Sequence, residues 1–336
     1  MTTLTPDTPV AVVPGQRLGA GLLLALTSAS AFGMSGALAR GLLDAGWTAG
    51  AAVTARVSLA ALVLLVPAVL VLRGRWGTLL GQPRTLGTVA LYGVLAVAGA
   101  QLCYFYAVSY LQVGVALLIE YTAPVAVIVW MWLRHGQRPG RTTVAGAAVA
   151  AAGLAMVLGV VGSGVDLDVV GVLWGLGAMI GCAAYFVISA DGGNGLPGTV
   201  LAAGGLTVGA VTLGTAGLVG VLPMAATTAD VVYGGTAVPW WLPVLGLGLV
   251  TAALAYTTGI AASRRLGSRL ASFVALSEVV MALVFAWLLL GELPGPLQLV
   301  GGLLILAGVV VVKLGEAGVQ EVRIGEPESA EAAEAG

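Results

Sequence analysis

What most limits the folding of this chain is a succession of ten apolar stretches, each long enough to cross a bilayer as a helix. A spanning helix needs about 20 mostly apolar residues. Such stretches lie at 18–40, 48–72, 86–108, 112–133, 142–162, 169–190, 197–222, 239–262, 268–290 and 296–314. The connections are short and carry turn residues, as in Gly74-Arg75-Trp76-Gly77 and Asp191-Gly192-Gly193-Asn194-Gly195. None has room for a soluble catalytic domain. Of the 336 residues only 9% are charged and 59% are hydrophobic, whereas a soluble domain carries roughly 25% charged residues. Lipid is therefore the solvent, and the expected fold is an all-α polytopic membrane protein of ten transmembrane helices. The net charge of −1 offers no basic footprint for nucleic acid.

Basic residues set the orientation, because cytoplasmic loops hold the excess of Lys and Arg. Arg17, Arg73, Arg75, Arg84, Arg134, Arg138, Arg141, Arg264, Arg265, Arg269, Lys313 and Arg323 all fall on one side. The opposite loops carry Asp44, Asp166, Asp168, Asp230 and Glu292, with only Arg40 at a helix end. Both termini are thus expected in the cytoplasm. Residues 1–16 read as a mobile tail, with no basic stretch leading into a short apolar core as in a cleaved signal peptide. Residues 315–336, rich in Glu, Ala and Gly, read as an acidic disordered tail. Cys103 and Cys182 both lie in apolar runs and read as small packing residues.

Shifted by 155 residues, the chain matches itself. Trp132 meets Trp287, Gly136 meets Gly291, Pro139-Gly140 meets Pro294-Gly295, Gly146 meets Gly301 and Gly153 meets Gly308. Residues 17–162 and 163–314 are read as two repeats of five spans. An odd number of spans forces the second repeat to insert upside down. The basic loop Arg134-His135-Gly136-Gln137-Arg138 and its acidic counterpart Gly291-Glu292-Leu293 carry opposite charge, as opposite sides of the membrane require. Inverted repeats recur in secondary transporters, with the substrate held near the midplane between the halves.

Three charges lie deep in the spans: Arg56, Glu120 and Glu278. An ionisable group there costs roughly 2.5–3.5 kcal/mol even on lenient insertion scales, so it faces a cavity or a partner. The two glutamates are three positions apart in the repeat register and bracket the midplane, as stations for a cation, a substrate amine or a proton would. Arg56 suits a substrate carboxylate, which a guanidinium grips with two parallel hydrogen bonds. It equally suits a counter-ion of Glu120, and both readings stand. Pro124 removes the backbone bond to the Glu120 carbonyl and predicts a kink beside that carboxylate. Val279 occupies the repeat position, so the kink is expected in one repeat only. Tyr121, Gln101, Tyr104, Tyr185 and Tyr256 lie deep in the spans and are the expected cavity lining. Trp47, Trp240 and Trp241 are placed as interfacial anchors.

Gly33-Met34-Ser35-Gly36 has the form of an intramembrane-protease serine motif. That chemistry needs a base beside the serine, and the single histidine, His135, lies in a loop. No catalytic residue, metal site or cofactor is expected.

The segments CYFYAVSYLQVGVALLIEYTAPVAV (103–127), GQRPGRTTVAGAAVAAAG (136–153) and LASFVALSEVVMALVFAWLLLGELPGPLQLVGGLLILAGVV (270–310) carry a family resemblance. Over about residues 17–314 the chain resembles the drug/metabolite transporter superfamily in its ten-helix EamA-domain branch. Gln137 replaces the acid usual at that point of the first repeat. VGVALLIEYTAP (113–124) is similar to the corresponding segment of threonine/homoserine exporters. The resemblance implies export of amino acids or related metabolites from a bacterial cytoplasm, through a basket-shaped bundle with a central cavity.

The expected function is inner-membrane export of small polar metabolites by alternating access, with protons as candidate co-substrate and a second copy of the chain as candidate partner. Uptake or uncoupled passage of another solute, such as a nucleobase or a cation, is one alternative. A membrane scaffold or sensor without transport is the other.

Overall fold

The computed structural model describes residues 14–74, 77, 81–110, 119–136, 138–157, 168–191, 195–291 and 295–325. The tails beyond those limits, Gln137, Asp166, Glu292 and the boundary at 162/163 lie outside the described residues.

Helices dominate. The first half holds α1 (Pro14–Asp44), α2 (Ala49–Leu72), α3 (Pro83–Leu91), α4 (Ala100–Tyr110), α5 (Ala123–His135) and α6 (Arg141–Val157). The second holds α7 (Val169–Ala190), α8 (Gly198–Leu218), α9 (Trp241–Leu245), α10 (Ala255–Ala275), α11 (Ser277–Phe285) and α12 (Pro296–Gly325). The chain passes from α3 to α4 through a π-helical segment, Tyr92–Gly99, and from α9 to α10 through another, Gly246–Leu254. A third, Ala286–Leu290, follows α11. Starts are set locally. Thr48 caps α2 by accepting from the Ala51 amide, and Asp168 caps α7 by accepting from Val170 and Gly171.

Among the described residues six helices are long and apolar enough to cross a membrane: Leu18–Asp44, Ala49–Leu72, Pro83–Tyr104, Val169–Ala190, Gly198–Leu218 and Trp241–Ala275. Arg141–Met156, Ser277–Leu290 and Leu299–Val312 are shorter apolar helices. Leu62, Val66 and Leu70, one turn apart on α2, are 63–65% exposed. A leucine ridge turned outward is the opposite of what water selects and is what lipid permits.

The structure corrects the sequence reading at two places. α12 continues to Gly325, so residues 315–325 are helical where a disordered tail is expected. Ala, Glu, Gln and Val extend a helix that already exists without a new nucleation cost. Between the eighth and ninth stretches α10 is interrupted at Gly267, whose φ of 78° and ψ of 161° are non-helical, a conformation that only glycine adopts cheaply. Secondly, the chain is not wholly α. Strands β1 (Val231–Tyr233) and β2 (Thr236–Val238) pair antiparallel. Gly234 and Gly235 between them both have positive φ, at 54° and 81°, as a tight two-residue hairpin requires.

This hairpin is pinned across the α1–α2 turn. The Tyr233 hydroxyl donates to the Leu38 carbonyl at 2.7 Å, and Trp47 Nε1 donates to the Thr227 carbonyl at 2.8 Å. Thr48 Oγ1 donates to Pro223 and accepts from the Ala225 amide. Burial pushes the Tyr233 phenol up to about 12. A raised phenol favours docking below the free phenol's value near 10, and the advantage is lost as pH climbs from there toward 12. The hydrogen-exchange protection factors of Leu38–Asp44, with the base-catalysed intrinsic rate divided out, should therefore hold steady below pH 10 and fall above it. Tyr233→Phe should abolish that step and loosen docking by about 1 kcal/mol; an unchanged pH profile would refute the assignment.

Landmarks recur in the 155-residue register. Gly136 N donates to Trp132 O at 2.9 Å and Gly291 N to Trp287 O at 3.0 Å, each glycine left-handed at a helix end. The two linking π-helical segments occupy matching positions as well. α6 packs on α12 through glycines: a methyl carbon on Gly146 would meet the Gly308 carbonyl oxygen at 2.8 Å, and one on Gly153 would meet that of Gly301 at 2.5 Å. Backbone touches backbone there, the close approach that small residues give membrane helices.

Candidate functional site

A cavity of about 300 Å³ runs along one face of α1 and reaches Leu43 and Ala49, on either side of the α1–α2 turn. Walls come from both halves: Ser28, Phe32 and Arg56 from α1 and α2, Gln101 and Tyr104 from α4, Glu120 and Tyr121 from the segment before α5. Opposite them stand Cys182, Tyr185 and Phe186 from α7, Tyr256, Gly259 and Ser263 from α10, and Glu278 from α11.

Arg56 is 7% exposed. Its Nη2 donates to the Thr251 carbonyl at 2.7 Å, and its guanidinium carbon lies 5.7 Å from the centre of the Phe32 ring. The Arg56 Nε–H has no partner among the described residues. The Arg56–Glu120 ion pair considered from sequence is not formed, since Arg40–Asp44 is the ion pair found among the described residues. The carboxylate whose charge reaches Arg56 is that of Glu278. The Tyr121 hydroxyl lies within electrostatic reach of Glu278. Glu120 lies within electrostatic reach of Glu278 and of Cys103, Tyr104 and Cys182. Both glutamates are partly buried, and both line the cavity.

Each glutamate sits at a turn between helical segments. In the first half the break falls at Tyr121–Thr122, where the Thr122 hydroxyl donates to the Ile119 carbonyl at 2.6 Å. α5 restarts at Ala123 with Pro124 in its first turn, where a missing N–H is harmless. Pro124 thus serves a restart and does not line the cavity. In the second half a single turn at Leu276, whose φ of −58° and ψ of −21° stay helical, precedes α11, and Glu278 occupies the first turn of that helix. No proline is needed there: the Ser277 hydroxyl bonds the Val274 carbonyl at 2.6 Å and Ser272 bonds that of Arg269 at 2.8 Å. Serine hydroxyls that compete for helix carbonyls loosen the ladder.

The cavity floor is aromatic. Phe32, Tyr185 and Tyr256 meet edge to face, with ring centres 5.2, 5.7 and 6.4 Å apart. Tyr185 also meets Phe186 at 4.9 Å. Gly259 permits this, since a methyl there would collide with the Tyr185 hydroxyl and with Ser28 Oγ. Sequence reading named Arg56, Gln101, Tyr104, Glu120, Tyr121, Tyr185, Tyr256 and Glu278, and one cavity holds all eight. It missed Phe32, Ser28, Gly259 and Ser263, which no charge or spacing marks, and it took Cys182 for packing alone. Chemically, the site offers a guanidinium, two carboxylates and an apolar wall.

The family model described as the EamA-like transporter family matches residues 19–159 and 169–314. Among solved structures 24 chains match. One, a crystal structure 21% identical, superposes with a TM-score of 0.70 over 88% of this chain and 97% of that one. At that identity the likeness shows the fold. No curated protein matches. With nearly the whole apolar bundle matched in two consecutive segments, the chain belongs to the EamA-like transporter family.

Proposed function

We propose that this chain is a secondary transporter of a bacterial inner membrane that exports small polar metabolites, amino acids first, with both termini in the cytoplasm. The observation that carries the reading is the cavity itself, a space of about 300 Å³ that Arg56, Glu120 and Glu278 line together. A zwitterion finds both its partners there. Its carboxylate meets the Arg56 guanidinium, and its ammonium meets a carboxylate.

Alternating access by two inverted repeats is supported by how the halves touch. Gly146 meets Gly308 and Gly153 meets Gly301, so each glycine contacts the repeat mate of the other. That crossed pairing is what a two-fold axis in the membrane plane produces. A helix interrupted beside Glu120 is the construction that places ion sites inside such bundles. Proton coupling would use Glu120 and Glu278.

Two carboxylates against one guanidinium favour, as the second reading, a cationic solute without a carboxylate. The test is flux into proteoliposomes of a labelled amino-acid panel and a labelled organic cation, with and without a pH gradient. Gradient-driven accumulation of amino acids supports the first reading, and accumulation of the cation alone supports the second. No flux of either, in either direction, would sink both.

A further inference from the structure

The Gly33-Met34-Ser35-Gly36 stretch has no base to make it a protease motif, yet both its glycines line the cavity. They do so in opposite ways. A methyl carbon on Gly33 would lie 2.8 Å from the Glu278 carbonyl oxygen, 2.9 Å from Met281 Cβ and 3.0 Å from the Ala282 amide nitrogen. None of these atoms can swing aside. Gly33 thus lets α1 lie directly on the turn that carries Glu278. A methyl on Gly36 would meet nothing within 4 Å.

Gly36 lies on the cavity face of α1. Ala25, Ala29, Phe32, Gly36, Ala39 and Leu43 line the cavity at alternating spacings of four and three, one continuous helical stripe. Within that stripe Gly36 is exposed. In a helix interior glycine is the poorest choice short of proline, so local preference argues for a larger residue here. Space argues for it too, unless the space is used. The same cavity is lined by Arg56, whose buried Nε–H has no partner among the described residues. We propose that Gly36 is the specificity-determining residue for solute size, its missing side chain being volume that the transported solute fills, while Gly33 is a positioning residue for Glu278. This rests on the transport reading above.

The experiment compares wild type with Gly36→Ala, Gly36→Leu and Gly33→Ala in proteoliposomes, using labelled glycine, alanine, valine, leucine and phenylalanine as the probes. Gly36→Leu should cut the flux of the larger transported probes about tenfold or more, as a methylene-scale clash does in a closed pocket, and spare the smallest. Gly36→Ala should do the same more weakly. Gly33→Ala should depress all probes together, without a size trend. An unchanged size profile in Gly36→Leu, a size trend in Gly33→Ala, or a Gly36→Leu protein that fails to fold would each overturn the proposal.

A second arm needs no transport. In a Cys103→Ala, Cys182→Ala background, Gly36→Cys should react with small water-soluble methanethiosulfonates and resist bulky ones, read by mass spectrometry. Reaction with none, or equally with all, overturns the proposal. If wild type moves no amino acid, the transport reading fails on its own, and this arm still decides whether Gly36 faces a space of limited size.

Discussion

Glu278→Gln and Glu120→Gln should each reduce gradient-driven flux by roughly 30-fold or more. Losing one member of a desolvated charge set costs about 2–5 kcal/mol, and each 1.4 kcal/mol is about tenfold. Glutamine keeps the shape of the side chain, so packing is spared and the charge alone is removed. The two variants should differ. Glu278 is the carboxylate that Arg56 feels, so its loss leaves the guanidinium unopposed and should tighten the cavity's hold on anions. Glu120 has no such counter-charge, so its loss should weaken binding of amines without that gain. Initial rates of uptake, with inhibition by a simple carboxylate as a second readout, separate these effects. Wild-type rates and gradient dependence in both variants would remove the glutamates from the mechanism.

Gly153→Ala should destabilise the bundle more than most substitutions of its size. The added carbon would lie 2.5 Å from the Gly301 carbonyl oxygen and 2.7 Å from the Ile305 amide nitrogen. Overpacking of a core usually costs about 1–3 kcal/mol because side chains shift to absorb it. Here the obstacles are backbone atoms on a facing helix, and the upper end of that range is the expectation. Gly308→Ala meets the same geometry from the other side, with the Ala150 amide at 2.6 Å and the Gly146 carbonyl at 2.7 Å. Gly214→Ala, with nothing within 4 Å, is the control and should be neutral or slightly stabilising. Thermal unfolding in detergent measures all three. Equal midpoints for Gly153→Ala and Gly214→Ala would mean the α6–α12 contact is looser than described.

Much of this architecture was legible because lipid is a simple reader. It requires apolar length, and it makes a stray charge expensive enough to mark a site, which is how Arg56, Glu120 and Glu278 came forward. The 155-residue register survived because the paired Trp and the turn glycines do the same backbone task in both halves. What stayed hidden were features that cost no charge. Phe32, the hub of the aromatic floor, is one apolar residue in an apolar run. The turn at Leu276 goes with hydroxyl bonds from Ser272 and Ser277, common residues in membrane helices. Sequence left the partner of Arg56 open for a related reason: depth along two helices says how high a charge lies but not which wall it faces. The Gly234-Gly235 hairpin also went unread, since the segment lies between two spans and was taken as a connection.

The α6–α12 seam has a consequence for how the two halves can differ. Its closest approaches pair glycine with glycine, Gly146 with Gly308 and Gly153 with Gly301, so the two repeats bring the same residue type to them. The repeats diverge elsewhere: Pro124 against Val279, Gln101 against Tyr256, Arg56 with no cationic twin. That divergence is concentrated around the cavity.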